Sequence, residues 1–132
     1  MAKRAKSLMP TEKEIHVNIC EYLRLQYPEL LFTSDAGGLR VSMGVIMEVK
    51  RKSCNYKIPD LLIFQRNSQY NGCFIEIKRS RDDLYLKSGK LKNDHVKTQE
   101  ECLIMLREQG YYAEFGVGYN DTIQKIERYL ET

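Results

Sequence analysis

Apolar and polar positions alternate along this chain with two different periods. Ile15, Ile19, Tyr22 and Leu23 recur at helical spacing, with Thr11 placed as an N-cap and Glu14 three residues later closing a capping box. A helix is therefore predicted from residue 11 until Pro28 ends it. Residues 30–33 read as a short strand, followed by a turn at Gly37–Gly38. Between residues 41 and 52, Val41, Val45, Ile46 and Val49 fit a short helix or a strand equally well. Residues 61–64 and 73–78 are strand-like runs joined by the polar connection 65–72, and read as a hairpin. A polar stretch over 80–93 precedes a second amphipathic helix over 94–109, stopped by Gly110. Residues 111–117 predict a last strand, and Ile123, Ile126 and Leu130 a C-terminal helix. Strands interleaved with helices predict an α/β or α+β sandwich around one sheet.

The length of 132 residues suits one domain over residues 11–132, behind a short basic arm at 1–10. Hydrophobic residues at 42% and charged ones at 30% are those of a globular protein, and no apolar run reaches the roughly 18 residues of a membrane span. Lys3, Arg4 and Lys6 suit the opening of a signal peptide, but Pro10 arrives before an apolar core forms, so a cytoplasmic protein is expected. Cys20, Cys54, Cys73 and Cys102 contain no CxxC pair, which is the pattern of reduced thiols rather than a zinc site.

The net charge of +3 decides little, whereas its placement is informative. Basic residues gather at Lys50, Arg51 and Lys52, at Lys78, Arg79 and Arg81, and at Lys87, Lys90 and Lys92. Together they could track phosphates, the alternative being a solvated surface.

Within residues 74–78 the strand period of two puts Glu76 and Lys78 on one face and Ile75 and Ile77 on the other. Asp60, after Pro59 at the entry of the partner strand, falls across the hairpin from them. Two carboxylates and a lysine form a set for metal-assisted hydrolysis. Their hard oxygens suit Mg²⁺, which lowers the pKa of a bound water and offsets charge on a phosphate. The alternative is a turn aspartate beside an exposed edge pair. Glu12 shares the helical stripe of Ile15, Ile19 and Leu23, which predicts an inward carboxylate; Glu14 is explained by the capping box. Gln99 falls on the stripe of Val96, Leu103 and Leu106. Either it positions Lys78 or a phosphate, or it satisfies a backbone group. His16, one turn after Glu12, is a weaker candidate for the same site.

Glu12, Pro59–Asp60 and Glu76–Ile77–Lys78, in this order, resemble the PD-(D/E)xK nuclease superfamily, and within it the stand-alone VRR-NUC (virus-type replication-repair nuclease) domains. The similarity extends over residues 11–131 through Thr11–Glu12, Arg24–Leu25–Gln26–Tyr27–Pro28–Glu29, Gly37–Gly38–Leu39–Arg40, Pro59–Asp60–Leu61, Gln99 and Gln109–Gly110–Tyr111. Three positions depart from the family pattern. Lys57 stands where a glycine is usual, His16 where a glutamine is common, and the segment after Lys78 is longer and more basic.

The resemblance implies a restriction-endonuclease-like α/β core (αβββαβ-like), with a central mixed sheet flanked by helices. It implies Mg²⁺, with Mn²⁺ substituting, held by Asp60, Glu76 and the carbonyl of Ile77, and completed by Glu12 directly or through a water. It further implies DNA phosphodiester hydrolysis, with stand-alone members similar to Holliday-junction resolvases acting as homodimers, and a phage or prophage source in a bacterial host. The expected function is a structure-selective endodeoxyribonuclease leaving 5′ phosphates. Asp60 and Glu76 would hold metal, Lys78 position the water, and Glu12 and Gln99 support the site. Lys50, Arg51, Lys52, Arg79, Arg81, Lys87, Lys90 and Lys92 would contact the DNA backbone. No small-molecule cofactor or membrane partner is expected. The other reading is a non-catalytic DNA-binding accessory factor of a replication or recombination assembly.

Overall fold

The computed structural model describes residues 9–35 and 41–132. Lys3, Arg4 and Lys6 of the basic arm and the Gly37–Gly38 turn lie outside the described residues.

Helix α1 spans Glu12–Gln26. The Thr11 side chain accepts the Glu14 amide at 3.1 Å, the first half of the expected capping box, while the Glu14 carboxylate takes the Thr11 hydroxyl at 3.2 Å in place of the Thr11 backbone amide. The helix stops before Pro28, which disfavours helical geometry at the residue preceding it. Strand β1 is Phe32–Ser34, shifted toward the C-terminus of the predicted 30–33. The ambiguous segment 41–52 is a helix, α2 (Met43–Arg51), started by the Ser42 side chain accepting the Val45 amide. Strands β2 (Leu61–Ile63) and β3 (Cys73–Lys78) form the expected hairpin, Phe64 being exposed beyond the last β2 pair.

The polar stretch after β3 has more structure than its composition suggests. A 3₁₀ turn at Arg81–Asp83 leads into a minimal hairpin bridged at Tyr85 and Leu91, with Gly89 at φ 88° in its turn. Buried Leu84 anchors it, and the Lys92 amide donates to the Leu84 carbonyl. Helix α3 (Asp94–Glu108) follows, capped by Asn93 accepting the Val96 amide at 2.9 Å. Its C-terminus closes through Gly110 at φ 88°, with the Gly110 amide on Arg107 and the Tyr111 amide on Leu106. Strand β4 (Tyr112–Val117) and helix α4 (Gly118–Glu131) complete the described chain.

The sheet runs β1-β2-β3-β4, antiparallel across its first two pairings and parallel between β3 and β4, with α3 in the crossover. One face packs on α1 and α4 through Ile15, Ile19, Leu23, Ile75, Ile77 and Ile126. The other receives Val96 and Leu103 of α3 against Ala113 and Phe115 of β4, with Leu84 alongside. Strand β3 is thus covered on both faces. All its residues except Phe74 are buried, Glu76 and Lys78 included, which excludes the exposed-edge alternative for that pair. No helix among the described residues is long and apolar enough to cross a membrane.

Candidate functional site

The chemistry gathers where β2 enters the sheet and β3 leaves it. Pro59 is buried and fixes the approach to Asp60, which stands one step beyond the Leu61–Ile75 pair and therefore opposite Glu76. Asp60 is tied from both sides. Its carboxylate accepts the Ile77 amide at 2.9 Å, and its carbonyl accepts the Asp35 amide at 2.9 Å. A side chain so held cannot swing away from β3.

Glu76 is 3% exposed and Lys78 6%. Glu76 Oε1 accepts from Gln99 Nε2 at 2.7 Å, and its carboxyl lies close enough to that of Asp60 for the two to influence each other's charge. Burial is the first cause pushing the Glu76 pKa up to about 8; the Asp60 charge adds to it, while Lys57 and Lys78 oppose. Two carboxyls side by side in a dry setting cannot both carry charge without a compensating cation. The Lys78 ammonium has no side-chain hydrogen bond or ion pair among the described residues, so it is held ready without a fixed partner.

Gln99 is buried as its stripe predicts, but it grips Glu76 rather than Lys78, a phosphate or a backbone group. Its Oε1 is buried without a partner. Glu12 departs from its expected position. The buried members of its stripe are Ile15, Ile19 and Leu23, whereas Glu12 at the open end of α1 is exposed and lines a cavity beside Lys78. Its carboxyl is still packed closely enough that burial raises its pKa, with Lys78 opposing and Asp60 and Asp83 adding to the rise. His16 turns toward the sheet edge, where Nε2 meets Ser34 Oγ at 2.8 Å, with Cys20 Sγ 3.6 Å from the same hydroxyl.

The basic residues divide. Arg79 and Lys92 flank Asp83 at 3.3 and 3.7 Å and line the cavity with Lys78. Arg81 lies 4.8 Å over the Tyr85 ring, and Lys87 and Lys90 are exposed on the same hairpin. Lys50, Arg51 and Lys52 end the exposed helix α2, with Lys52 paired to Glu48 at 2.8 Å. Sequence reasoning missed Lys57, whose charge is felt by both Glu12 and Glu76, and missed Asp83 and His95 at the cavity wall. Lys57 carried a signal in its place two residues before Pro59, where a glycine was expected. Asp83 and His95 reach the site only through the folding of the 80–93 segment.

Among the described residues no three His, Cys, Asp or Glu side chains form a ready-made metal cluster. The donors present are the two carboxyls of Asp60 and Glu76, adjoining the backbone at Ile77. This all-oxygen, incomplete set fits a hard cation that retains several waters, and a cation there would relieve the charge that burial holds off Glu76.

No protein-family model matches the chain, nor does any curated protein. A solved structure described as a VRR_NUC domain protein superimposes with a TM-score of 0.69 at 21% identity, over 92% of this chain and 89% of that one. With its mixed four-strand sheet flanked by helices, the chain has the fold of a VRR-NUC domain.

Proposed function

We propose that the protein is a Mg²⁺-dependent endodeoxyribonuclease that hydrolyses phosphodiesters in branched DNA and leaves 5′ phosphates. The observation that carries this reading is the convergence of half-buried Asp60 with buried Glu76 and Lys78 at the ends of β2 and β3, with Asp60 locked onto the Ile77 amide. A binding module has no use for two carboxyls where phosphates approach. In the proposed reaction water attacks phosphorus in line and the bond to the 3′ oxygen breaks.

Asp60, Glu76 and the Ile77 carbonyl would hold the cation, which supplies an acidified water and offsets charge on the phosphoryl oxygens. Mn²⁺ would substitute, since it accepts the same oxygen donors. Lys78 orients the attacking water and meets the negative charge that develops on the phosphoryl group. Gln99 holds the Glu76 carboxylate in place, and Glu12, on the wall beside Lys78, would support the cation's outer shell through a water. The basic residues of the 79–92 hairpin and of α2 hold the strand by its phosphates without reading sequence.

Resolving a four-way junction takes two symmetric cuts, and one chain offers one such site, so the junction reading entails a C₂ homodimer. Support for a second copy comes from α2, which buries none of its residues and exposes Met43, Val45, Met47 and Val49. Sedimentation analysis should give a dimer; a monomer would remove the junction while leaving nicking or flap cleavage.

The test is cleavage of labelled four-way junction, splayed-arm and plain duplex DNA with Mg²⁺, Mn²⁺ or EDTA. Paired symmetric cuts in the junction alone are expected. Binding without cleavage under either metal would favour the accessory-factor reading.

A further inference from the structure

A cavity of about 330 Å³ opens beside the carboxylate pair, lined by Glu12 and Lys78 but not by Asp60 or Glu76. Three features make it a receptor for an anion. First, both long helices that border it begin there: the caps Thr11 of α1 and Asn93 of α3 are wall residues. Each cap satisfies the third amide of its helix, leaving the amides of Glu12 and Lys13, and of Asp94 and His95, without an intrahelical partner. Second, Lys78 is 94% withdrawn from solvent by its 6% exposure and lines this cavity, and its ammonium has no side-chain hydrogen bond or ion pair among the described residues. Third, Asp83 anchors Arg79 and Lys92 on the wall, so two further cations are held in position instead of ranging through solvent.

The charges favour a phosphate. Lys78, Arg79 and Lys92 stand against Glu12 and Asp83, leaving one net positive charge, and two helix N-termini add about half a charge each.

We infer that this cavity is a phosphate subsite that takes the strand phosphate flanking the one held at Asp60 and Glu76, with Lys78 shared between the two. The inference rests on the nuclease reading for its ligand. The flanking group is either a terminal monoester or an internal diester; the recognition chemistry is the same for both.

The test uses the full chain, ¹⁵N-labelled and kept in EDTA, titrated with inorganic phosphate. The amides of Glu12, Lys13, Asp94 and His95 should shift together, and the double variant Lys92→Gln/His95→Gln should weaken phosphate binding about tenfold or more, the scale of a lost charge-assisted hydrogen bond. In cleavage assays the same double variant should raise KM with kcat held. Flap substrates with a 5′ phosphate or a 5′ hydroxyl, and a strand with a neutral methylphosphonate beside the scissile position, separate the two sources. A preference for the phosphorylated end identifies the monoester, and a penalty from the methylphosphonate alone identifies the diester. Unmoved amides, or an unchanged KM in the double variant, would overturn the subsite while leaving the nuclease intact. Shifted amides in a protein that cuts no DNA would sustain the phosphate site and remove the nuclease reading.

Discussion

Glu76 carries the tension of the site. Its carboxyl is buried, bound by Gln99 and pressed against Asp60, and burial raises its pKa to about 8. The metal-free native state therefore holds a proton that the unfolded chain releases near pH 4.5. The linkage sign follows. This contribution to stability is fully present below about pH 4.5 and is lost as pH rises through about 8. Thermal melts in EDTA should thus show the wild type losing stability between pH 5 and pH 8 relative to Glu76→Gln, whose neutral amide cannot titrate; parallel curves would contradict the assignment. Cation binding competes with that proton, so metal affinity should rise over the same window. Gln99→Ala removes a hydrogen bond to a carboxyl that is charged once a cation displaces its proton, worth about 1.5–3 kcal/mol in that state, and should slow cleavage about tenfold or more while the fold persists. An unaltered rate would reduce Gln99 to a packing residue.

At the scale of elements, the two-residue period of β3 and the helical stripes of α1 and α3 were legible because burial selects residues with the geometry of the element. That period placed Glu76 with Lys78, and the Pro59–Asp60 step put the second carboxyl opposite. The direction of Glu12 was not legible. A stripe shows which side of a helix faces inward but not how far along its axis the covering layer extends, and α1 emerges from cover one turn before Ile15. The 80–93 hairpin escaped notice because its order rests on Leu84 and one bridge, too few apolar positions to establish a period. Segment 41–52 stayed ambiguous because α2 has no buried face to impose one. The β3–β4–α4 junction offers a stability test. A Cβ at Gly116 would run into the Thr122 hydroxyl and come within 2.9 Å of Ile75 Cγ2, while Thr122 is held by its bond to the Gly118 carbonyl. Gly116→Ala should cost about 1–3 kcal/mol in denaturant unfolding, the usual range for overpacking; an unshifted midpoint would show that α4 can move aside.

For the whole molecule, a VRR-NUC fold places the N-termini of α1 and α3, the carboxylate pair and the basic hairpin together at one end of the sheet. If that end holds DNA by its backbone, affinity should fall steeply and linearly on a log–log plot as salt rises, through counterion release. Filter binding between about 50 and 200 mM salt checks this, and a flat response would argue against a nucleic-acid partner. The central claim is that Asp60 and Glu76 hold a cation that makes DNA hydrolysis possible. Its most direct test is cleavage of a four-way junction by the wild type, Asp60→Ala and Glu76→Ala, each with Mg²⁺ and with EDTA, alongside circular dichroism of all three proteins. The account predicts cutting by the wild type with Mg²⁺ only and none by either folded variant. Undiminished cutting by both variants would contradict it.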